Sequence, residues 1–374
     1  AVVGGVGRAP RASGPDYTLE ALMALASLRL VGCRLPVELW HNNDTRLGEA
    51  DAAVTRAMED GLGIVVRDLH ATPGSESLEG FQLVTFILLH SAFEEVLLVD
   101  SDNVFISDPT QLFETAAYRD AGALFWPDWA LISPTNPFWK IVDRAPFPMP
   151  CIETGQMMFH RGRHWRSLAL AHYFNERGPE GYYLFSWGDT GMFAFAWLAT
   201  RAPFHMVATP LGIAGYMGVE GGATGGDVGA GGTGGAPFCG HTMLQFHPAE
   251  ASRAFFAHRA HLKWSRLPAD PRPGWEYMRA GSAPNASMPQ GPGFHADRTS
   301  DHNRYIYPPA CHCDDGRHNL YCYDYADYRQ VPLQPVPPWM ASLEGALLQI
   351  KAELVGAGGP HLRGDFLERW VRSV

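Results

Sequence analysis

The stretch "VLLVDSDNVFISDP", residues 96–109, runs from an apolar segment directly into a cluster of acids. Its first four residues have no helical period and predict a strand that is buried on both faces of an α/β sheet. Asp100 and Asp102 follow where this strand leaves the sheet, and side chains two residues apart on an extended chain point the same way. Ligands of α/β proteins bind at the carboxyl ends of parallel strands. The stretch therefore predicts a site for a hard divalent cation, Mn²⁺ or Mg²⁺.

Capping of a turn is the alternative role for these two aspartates, because Asp often occupies turns ahead of proline. A D-x-D pair alone occurs frequently by chance. Here the pair follows a buried strand and is itself followed by Asn103, Asp108-Pro109 and Leu112-Phe113. This combination occurs by chance much less often than D-x-D alone, so we favour metal binding over capping.

Length and charge limit the possible classes of protein. The 374 residues suffice for one large domain with extensions or for two domains. A net charge of −10 argues against non-specific binding to nucleic acid, which needs a basic surface. No run of 18 or more apolar residues predicts a membrane span. The sequence begins at Ala1, so we expect that an N-terminal targeting or anchoring segment was removed from the recorded sequence.

Cysteines and glycosylation sequons favour the lumen of the secretory pathway. Sequons occur at residues 43–45 and 285–287. The segment "CHCDDGRHNLYC", residues 311–322, also offers zinc ligands, but Cys-x-Cys is not the usual spacing of a zinc knuckle. We therefore favour disulfides or free thiols there. The six cysteines are Cys33, Cys151, Cys239, Cys311, Cys313 and Cys322.

Predicted strands and helices alternate along the first two thirds of the chain, which is typical of an α/β fold. We predict one catalytic domain over residues 1–265, with a glycine-rich insert at about 212–240. Residues 219–235 of this insert are expected to be mobile without ligand. Residues 266–374 are predicted to form a loop-rich extension that ends in helices at about 339–355 and 364–373.

Seven blocks in order resemble the fungal-type α-mannosyltransferase family of Golgi enzymes, over about residues 20–264. They are "LRLVGCRLPVELW", "GFQLVTFILLHSAFEEVLLVDSDNVFISDPTQLFE", "GALFWPDW", "ETGQMMFHRGRHW", "WGDTGMFAFAW", "TMLQFHP" and "FFAHRAHLKW". The resemblance implies a GT-A-type, Rossmann-like nucleotide-diphospho-sugar transferase fold with a mixed, mainly parallel sheet. It also implies a retaining transfer of hexose from a nucleotide sugar, most of all mannose from GDP-mannose. The acceptor would be a glycan or glycoprotein, and the full-length enzyme a type II membrane-anchored protein of the Golgi or secretory lumen.

The resemblance assigns the metal and the donor diphosphate to the D-x-D turn and to residues late in the matched region. Asp100, Ser101 and Asp102 would hold Mn²⁺ or Mg²⁺ against the donor phosphates. His258 in "FFAH" resembles a third metal ligand, with His247 in "QFHP" as its rival. The alternative role of His258 is that of an ordinary core or surface histidine.

Five further residues are expected at the donor. Lys263 would stabilise the charge of the leaving diphosphate. Asp189 in "WGDTGMF" would lie under the donor sugar, and Glu153 and Gln156 in "ETGQ" would line the sugar pocket. Asp128, next to Trp129 in "WPDW", would contact donor or acceptor. For Asp189 the alternative is that it simply caps the helix that follows it.

Two departures from the family leave the donor open. Val84 stands where the family carries Lys after "GFQ-x", and Thr190 stands where the family carries Lys after "GD". These changes keep two alternatives in view: a transferase that uses a UDP-sugar, and a non-catalytic carbohydrate-binding or scaffold protein. A glycoside hydrolase fits less well, because its paired carboxylates flank the scissile bond from separate elements.

Overall fold

The computed structural model describes residues 2–5, 17–41, 59, 62–69, 71–186, 189–217, 238–260, 262–267, 274–280, 311–314, 319–322 and 331–355. Seven α-helices are numbered in chain order. They are α1 (Tyr17–Leu30), α2 (Gln82–His90), α3 (Ala116–Ala121), α4 (Phe138–Ile141), α5 (Arg161–Glu176), α6 (Thr190–Thr200) and α7 (Pro338–Val355).

Fifteen β-strands are described. They are β1 (Val2–Gly5), β2 (Val37–His41), β3 (Ile64–Asp68), β4 (Glu95–Asp100), β5 (Asn103–Phe105), β6 (Ala123–Leu131), β7 (Pro150–His160), β8 (His205–Met206), β9 (Gly212–Met217), β10 (Phe238–His247), β11 (Glu250–His258), β12 (Tyr277–Arg279), β13 (Cys311–Asp314), β14 (Asn319–Cys322) and β15 (Gln334–Pro335).

A seven-stranded sheet in the order β3-β2-β1-β4-β7-β6-β8 forms the larger layer. Strands β3, β2, β1 and β4 are parallel, whereas β7 is antiparallel to both β4 and β6. The α/β class and the mixed, mainly parallel sheet are thereby confirmed. Val96 to Val99 are buried, as the apolar run predicts, because Leu97 and Val99 pack in one hydrophobic cluster and Val96 and Leu98 in another. Strand β4 also has a neighbour on each side.

A second, six-stranded sheet in the order β15-β12-β9-β10-β11-β5 was not predicted as a layer. It is antiparallel in all its pairings, and β5 joins it only two residues after β4 ends. The chain thus passes from one sheet to the other at Ser101 and Asp102. This transfer places the predicted acidic site where the two sheets meet.

One hydrophobic cluster connects the two sheets. Leu97 and Trp126 from the first sheet share it with Leu244 and Phe256 from the second. The indole N–H of Trp126 also donates to the carbonyl of Phe246 on β10, at 2.8 Å. The two layers therefore pack as one body around the site.

The described part of residues 266–374 is not only loop and helix. Strand β12 pairs with β9, and β15 pairs with β12, so both extend the second sheet. The predicted helix at 339–355 is confirmed as α7, which packs against α1. The predicted helix at 364–373 and the glycine-rich residues 219–235 lie outside the described residues.

The described residues include both free and disulfide-bonded cysteines. Cys33 and Cys151 are free thiols, and Cys239 is in a disulfide. The "CHCDDGRHNLYC" segment contributes β13 and β14, which pair as an antiparallel hairpin. No helix among the described residues combines the length and apolarity needed to cross a membrane.

Candidate active site

The end of β4 presents the two aspartates of D-x-D. Asp100 is the last residue of the strand, and Ser101 and Asp102 form the turn that leads into β5. Strand β5 pairs antiparallel with β11, in a register that sets Asn103 opposite His258. Residues that are more than 150 positions apart thus become neighbours because the chain changes sheets at this turn.

Asp100, Asp102 and His258 form a group whose ligand atoms all lie within 4.8 Å of one another. His258 Nε2 lies 3.1 Å from an oxygen of Asp102. Two carboxylates and an imidazole suit Mn²⁺, and oxygen ligands also suit Mg²⁺. The side chains brought together here therefore fit a divalent cation.

Glu153 and Gln156, both on β7, lie behind His258. Glu153 Oε1 is 3.0 Å from His258 Nδ1, and the Gln156 amide donates to Glu153 Oε2 at 2.6 Å. The Asn103 amide donates in turn to Gln156 Oε1 at 2.7 Å. Because Glu153 accepts a hydrogen bond at Nδ1, it fixes the ring so that Nε2 faces the aspartates.

Gly155 makes room for this contact. A Cβ atom at this position would lie 2.6 Å from His258 Nδ1 and 2.8 Å from Glu153 Oε1. Its N–H also donates to Glu153 Oε1 at 2.8 Å. Any larger residue here would push the imidazole away from Glu153.

Lys263 reaches the same site from the segment that follows β11. Its ammonium group forms an ion pair with Asp102 Oδ2, and its side chain is largely buried. Burial lowers the pKa of Lys263, against the opposing effect of Glu20 and Asp100. The ammonium group of Lys263 therefore lies beside Asp102 in the metal group.

Asp189 stands at the N-cap position of α6 but makes no capping hydrogen bond. Its side chain is buried and accepts a hydrogen bond from the Thr154 hydroxyl at 3.3 Å. Burial, together with the nearby charges of Asp100 and Glu153, raises the pKa of Asp189 to about 8. The capping alternative therefore does not account for this side chain.

The acids of the site influence one another strongly. Burial raises the pKa of Asp100, against the opposing charge of His258. Burial alone would lower the pKa of His258, but Glu153 and Asp100 outweigh it and raise that pKa. Burial alone would raise the pKa of Glu153, yet His258 and the hydrogen bonds from Gly155 and Gln156 lower it. Such mutual perturbation is common at functional sites.

The remaining predicted residues lie in different surroundings. Ser101 is buried in the turn between the two aspartates, and Asp128 on β6 is partly exposed and close enough to His258 for its charge to favour the protonated ring. His247 is not brought into the metal group; its Nδ1 is 3.5 Å from Glu250. The side chain of Trp129 lies outside the described residues.

The two positions that depart from the family lie in helices α2 and α6. Val84 is partly buried on α2 and packs against the hydrophobic cluster around that helix. Thr190 opens α6, and its hydroxyl is 3.0 Å from that of Ser186.

Sequence reasoning missed Asn103 and Gly155. Asn103 is fully buried, and its amide links β5 to both Gly155 and Gln156. A signal was present for each: Asn directly after D-x-D, and Gly inside the strand sequence "ETGQ", where glycine often marks close approach of another group.

Solved structures with a partial likeness to this chain include glycosyltransferases. The glycosyltransferase GlyE of Streptococcus pneumoniae TIGR4 aligns at TM-score 0.37 and 14% identity, over 55% of this chain and 44% of that chain. The galactosyltransferase LgtC, in complex with donor and acceptor sugar analogues, aligns at TM-score 0.37 and 14% identity, over 52% and 69%.

Curated relatives are fungal α-1,2-mannosyltransferases. MNN21 of Candida albicans is 26% identical over 56% of this chain and 40% of its own length. MNN24 of the same species is 30% identical over 48% and 30%, and MNN5 of Saccharomyces cerevisiae (strain YJM789) is 26% identical over 54% and 45%. The chain thus spans less than half the length of these relatives.

The sequence profile described as "Mannosyltransferase putative" matches residues 11–145 and 146–247. These residues make up more than half of the chain and include the D-x-D turn, "ETGQ" and Asp189. The chain therefore belongs to this mannosyltransferase family.

Proposed function

We propose that this protein is a metal-dependent, retaining glycosyltransferase of GT-A type that moves mannose from GDP-mannose onto a glycan or glycoprotein acceptor. The observation that carries the proposal is the group of Asp100, Asp102 and His258 at the carboxyl end of β4. Membership of a mannosyltransferase family supports the sugar. GDP-mannose as donor and Mn²⁺ as metal follow from the resemblance and the ligand types.

In this proposal Asp100, Asp102 and His258 hold Mn²⁺ or Mg²⁺, with Ser101 in the turn between them. The metal, when bound, would neutralise the diphosphate that leaves the sugar. Glu153 orients His258, and Gln156 holds Glu153 in place through its 2.6 Å hydrogen bond. Lys263 adds a positive charge for the departing diphosphate.

Asp189 is proposed to face the donor sugar. Its carboxyl group is buried and close to Asp100 and Glu153, so it lies beside the metal group without belonging to it. Asp128, on the neighbouring strand β6, is proposed to contact donor or acceptor.

The proposal also covers the domain organisation and the cellular compartment of the protein. Residues 1–265 would form the catalytic domain and residues 266–374 an extension that packs on it. The disulfide at Cys239 supports an oxidising compartment, in line with the Golgi or secretory lumen. A type II membrane anchor in the full-length protein is part of the same proposal.

A donor screen with defined product analysis tests the proposal. Purified protein and an α-mannoside acceptor are incubated with GDP-mannose, UDP-galactose, UDP-glucose, UDP-xylose or UDP-arabinose, each with Mn²⁺ or with a chelator. We expect transfer from GDP-mannose, in Mn²⁺ only, with an α-linked product. Transfer from a UDP-sugar alone would replace the donor, and absence of metal-dependent binding of GDP by calorimetry would favour the scaffold alternative.

A further inference from the structure

Arg259 follows His258 in the chain and forms an ion pair on the side away from the metal group. Its guanidinium donates to Glu344 Oε1 at 2.8 Å, and neither side chain is exposed to solvent. Glu344 lies on α7, the helix near the end of the described chain. The ion pair therefore ties the end of β11 to an element more than 80 residues further on.

Both partners of this pair make further contacts, although Nη2 of Arg259 is buried and has no hydrogen-bond partner among the described residues. Arg259 donates through Nε to the carbonyl of Leu262 at 2.9 Å, and its guanidinium lies 4.0 Å from the ring centroid of Trp264. Glu344 Oε2 accepts from the backbone N–H groups of Gly274 at 3.0 Å and Trp275 at 2.7 Å. A buried carboxylate with this many donors holds its arginine in one position.

The backbone of Arg259 touches the metal group directly. Its N–H donates to the carbonyl oxygen of Asp102 at 3.0 Å. Arg259 thus connects to Asp102 through its backbone, to His258 through the chain, and to α7 through its side chain. A shift of the guanidinium would be passed to two of the three proposed metal ligands.

The segment that follows β11 is held at a second point. Glu20 on α1 is buried and accepts from the N–H groups of Trp264 at 3.2 Å and Ser265 at 2.9 Å. Lys351 on α7 donates to the carbonyl of Leu267 at 3.2 Å. Lys263 therefore lies between two anchored points, Arg259 and Trp264.

We infer that Glu344 is a positioning residue for the metal site: through Arg259 it fixes His258 and the backbone of Asp102 in the geometry that binds the cation. The inference rests on the proposed function and extends it, because it makes α7 part of the catalytic unit. Loss of a residue that orients a metal ligand typically lowers metal affinity about 10-fold to 100-fold.

The test compares Glu344→Gln with a matched control, Glu38→Gln. Glu38 is also fully buried, and it pairs with Arg67 at 2.9 Å and accepts from the N–H of Ala92 at 3.1 Å. Glu38 is on β2, which β1 separates from β4, and its described partners, Arg67, Trp40 and Ala92, do not belong to the metal group. Both variants remove one buried negative charge and are expected to lower the melting temperature.

Mn²⁺ affinity in the presence of GDP, measured by calorimetry on the folded protein, separates them. We expect Glu344→Gln to bind Mn²⁺ about tenfold more weakly, Glu38→Gln to bind like the wild type, and Glu344→Asp to lie between Glu344→Gln and the wild type. If Glu344→Gln does not fold, the inference is tested by comparing the Mn²⁺ affinity of Glu344→Asp with that of the wild type. Equal Mn²⁺ affinity in the wild type and in the Glu344 variant, or an equal loss in Glu38→Gln, overturns the inference.

The same titration separates this inference from the proposed function. If Asp102→Asn weakens Mn²⁺ binding and the Glu344 variants do not, only the positioning role fails. If the wild type binds no Mn²⁺, the proposed function fails and the inference with it.

Discussion

His258 and Arg259 are adjacent in sequence, yet the balance of acidic and basic side chains around them differs. On the side of His258, four carboxyl groups share two basic side chains, His258 and Lys263. On the side of Arg259, one carboxylate, Glu344, meets one guanidinium, and backbone N–H groups complete its hydrogen bonds. The four carboxyl groups of the first side, called here the acidic cluster, are Asp100, Asp102, Glu153 and Asp189.

This difference in charge balance distinguishes buried charges that stabilise the fold from buried charges that are available to bind a ligand. Buried charges are tolerated when they are paired, as Arg259 and Glu344 are. An excess of buried carboxylates opposes folding, because each raises the cost of ionising the others. The acidic cluster therefore has a physical reason to bind a cation, whereas the Arg259–Glu344 pair has none.

The largest expected effect is that of Asp102→Asn. Asparagine keeps the volume and the turn propensity of aspartate but removes a charged ligand. We expect transfer to fall on the order of 10²-fold or more, since the charge of the leaving diphosphate is no longer balanced. The melting temperature should stay close to that of the wild type. Initial rates with and without added Mn²⁺ measure the loss and its partial recovery.

Capping gives the opposite expectation for the same variant. If Asp102 served only the turn, Asp102→Asn would transfer sugar normally and a chelator would not inhibit the wild type. Asp108→Asn is a suitable control, because Asp108 does cap a turn: its side chain accepts from the N–H of Thr110 at 2.9 Å. Transfer by Asp108→Asn should be unchanged.

The next effect concerns Glu153, which orients His258. Glu153→Gln keeps the shape but removes the carboxylate that outweighs burial at the imidazole. We expect about tenfold weaker Mn²⁺ binding. In the metal-free protein the pKa of His258 should fall, which an NMR titration of the ring would record. An unchanged pKa for His258 would show that the 3.0 Å contact with Glu153 does not form in solution.

Asp189 offers a pH test of the excess charge. Its folded pKa of about 8 lies above the usual value for aspartate, so its ionisation opposes folding. The contribution of Asp189 to the free energy of unfolding is therefore fully present below about pH 4 and is lost progressively as pH rises toward 8. We expect Asp189→Asn, in chelator, to melt a few degrees above the wild type at pH 8 and alike at pH 4. A constant difference across that range would contradict the assignment.

The seven-stranded sheet was largely predictable, because its strands are short apolar runs with local signals. The run at 96–99 and the Asp that follows it report burial and strand end within a few residues. The D-x-D pair was found from the strand pattern, whereas His258 and Lys263 were found through the resemblance, and the structure brings these side chains together. Their roles remain predictions.

The second sheet and the Glu344 contact were not predictable in the same way. Strand β5 has only three residues, and its partner β11 lies about 150 residues later, so no local period announces the pairing. Glu344 occupies a helix that reads as an ordinary amphipathic segment, and its partner Arg259 is distant in sequence. Pairings of this kind depend on tertiary structure alone.

The smallest expected effect is a gain, from restoring the basic residue that the family carries at position 84. Val84 is partly buried on α2, where a lysine can lay its aliphatic stem along the hydrophobic cluster and keep its ammonium group in water. Val84→Lys should therefore fold with a stability loss of about 1 kcal/mol or less. If the family's lysine contacts the donor, the KM for GDP-mannose should fall a few-fold while kcat changes little. Val84→Met, which has similar bulk and no charge, should leave KM unchanged. An equal KM in both variants would mean that position 84 does not reach the donor.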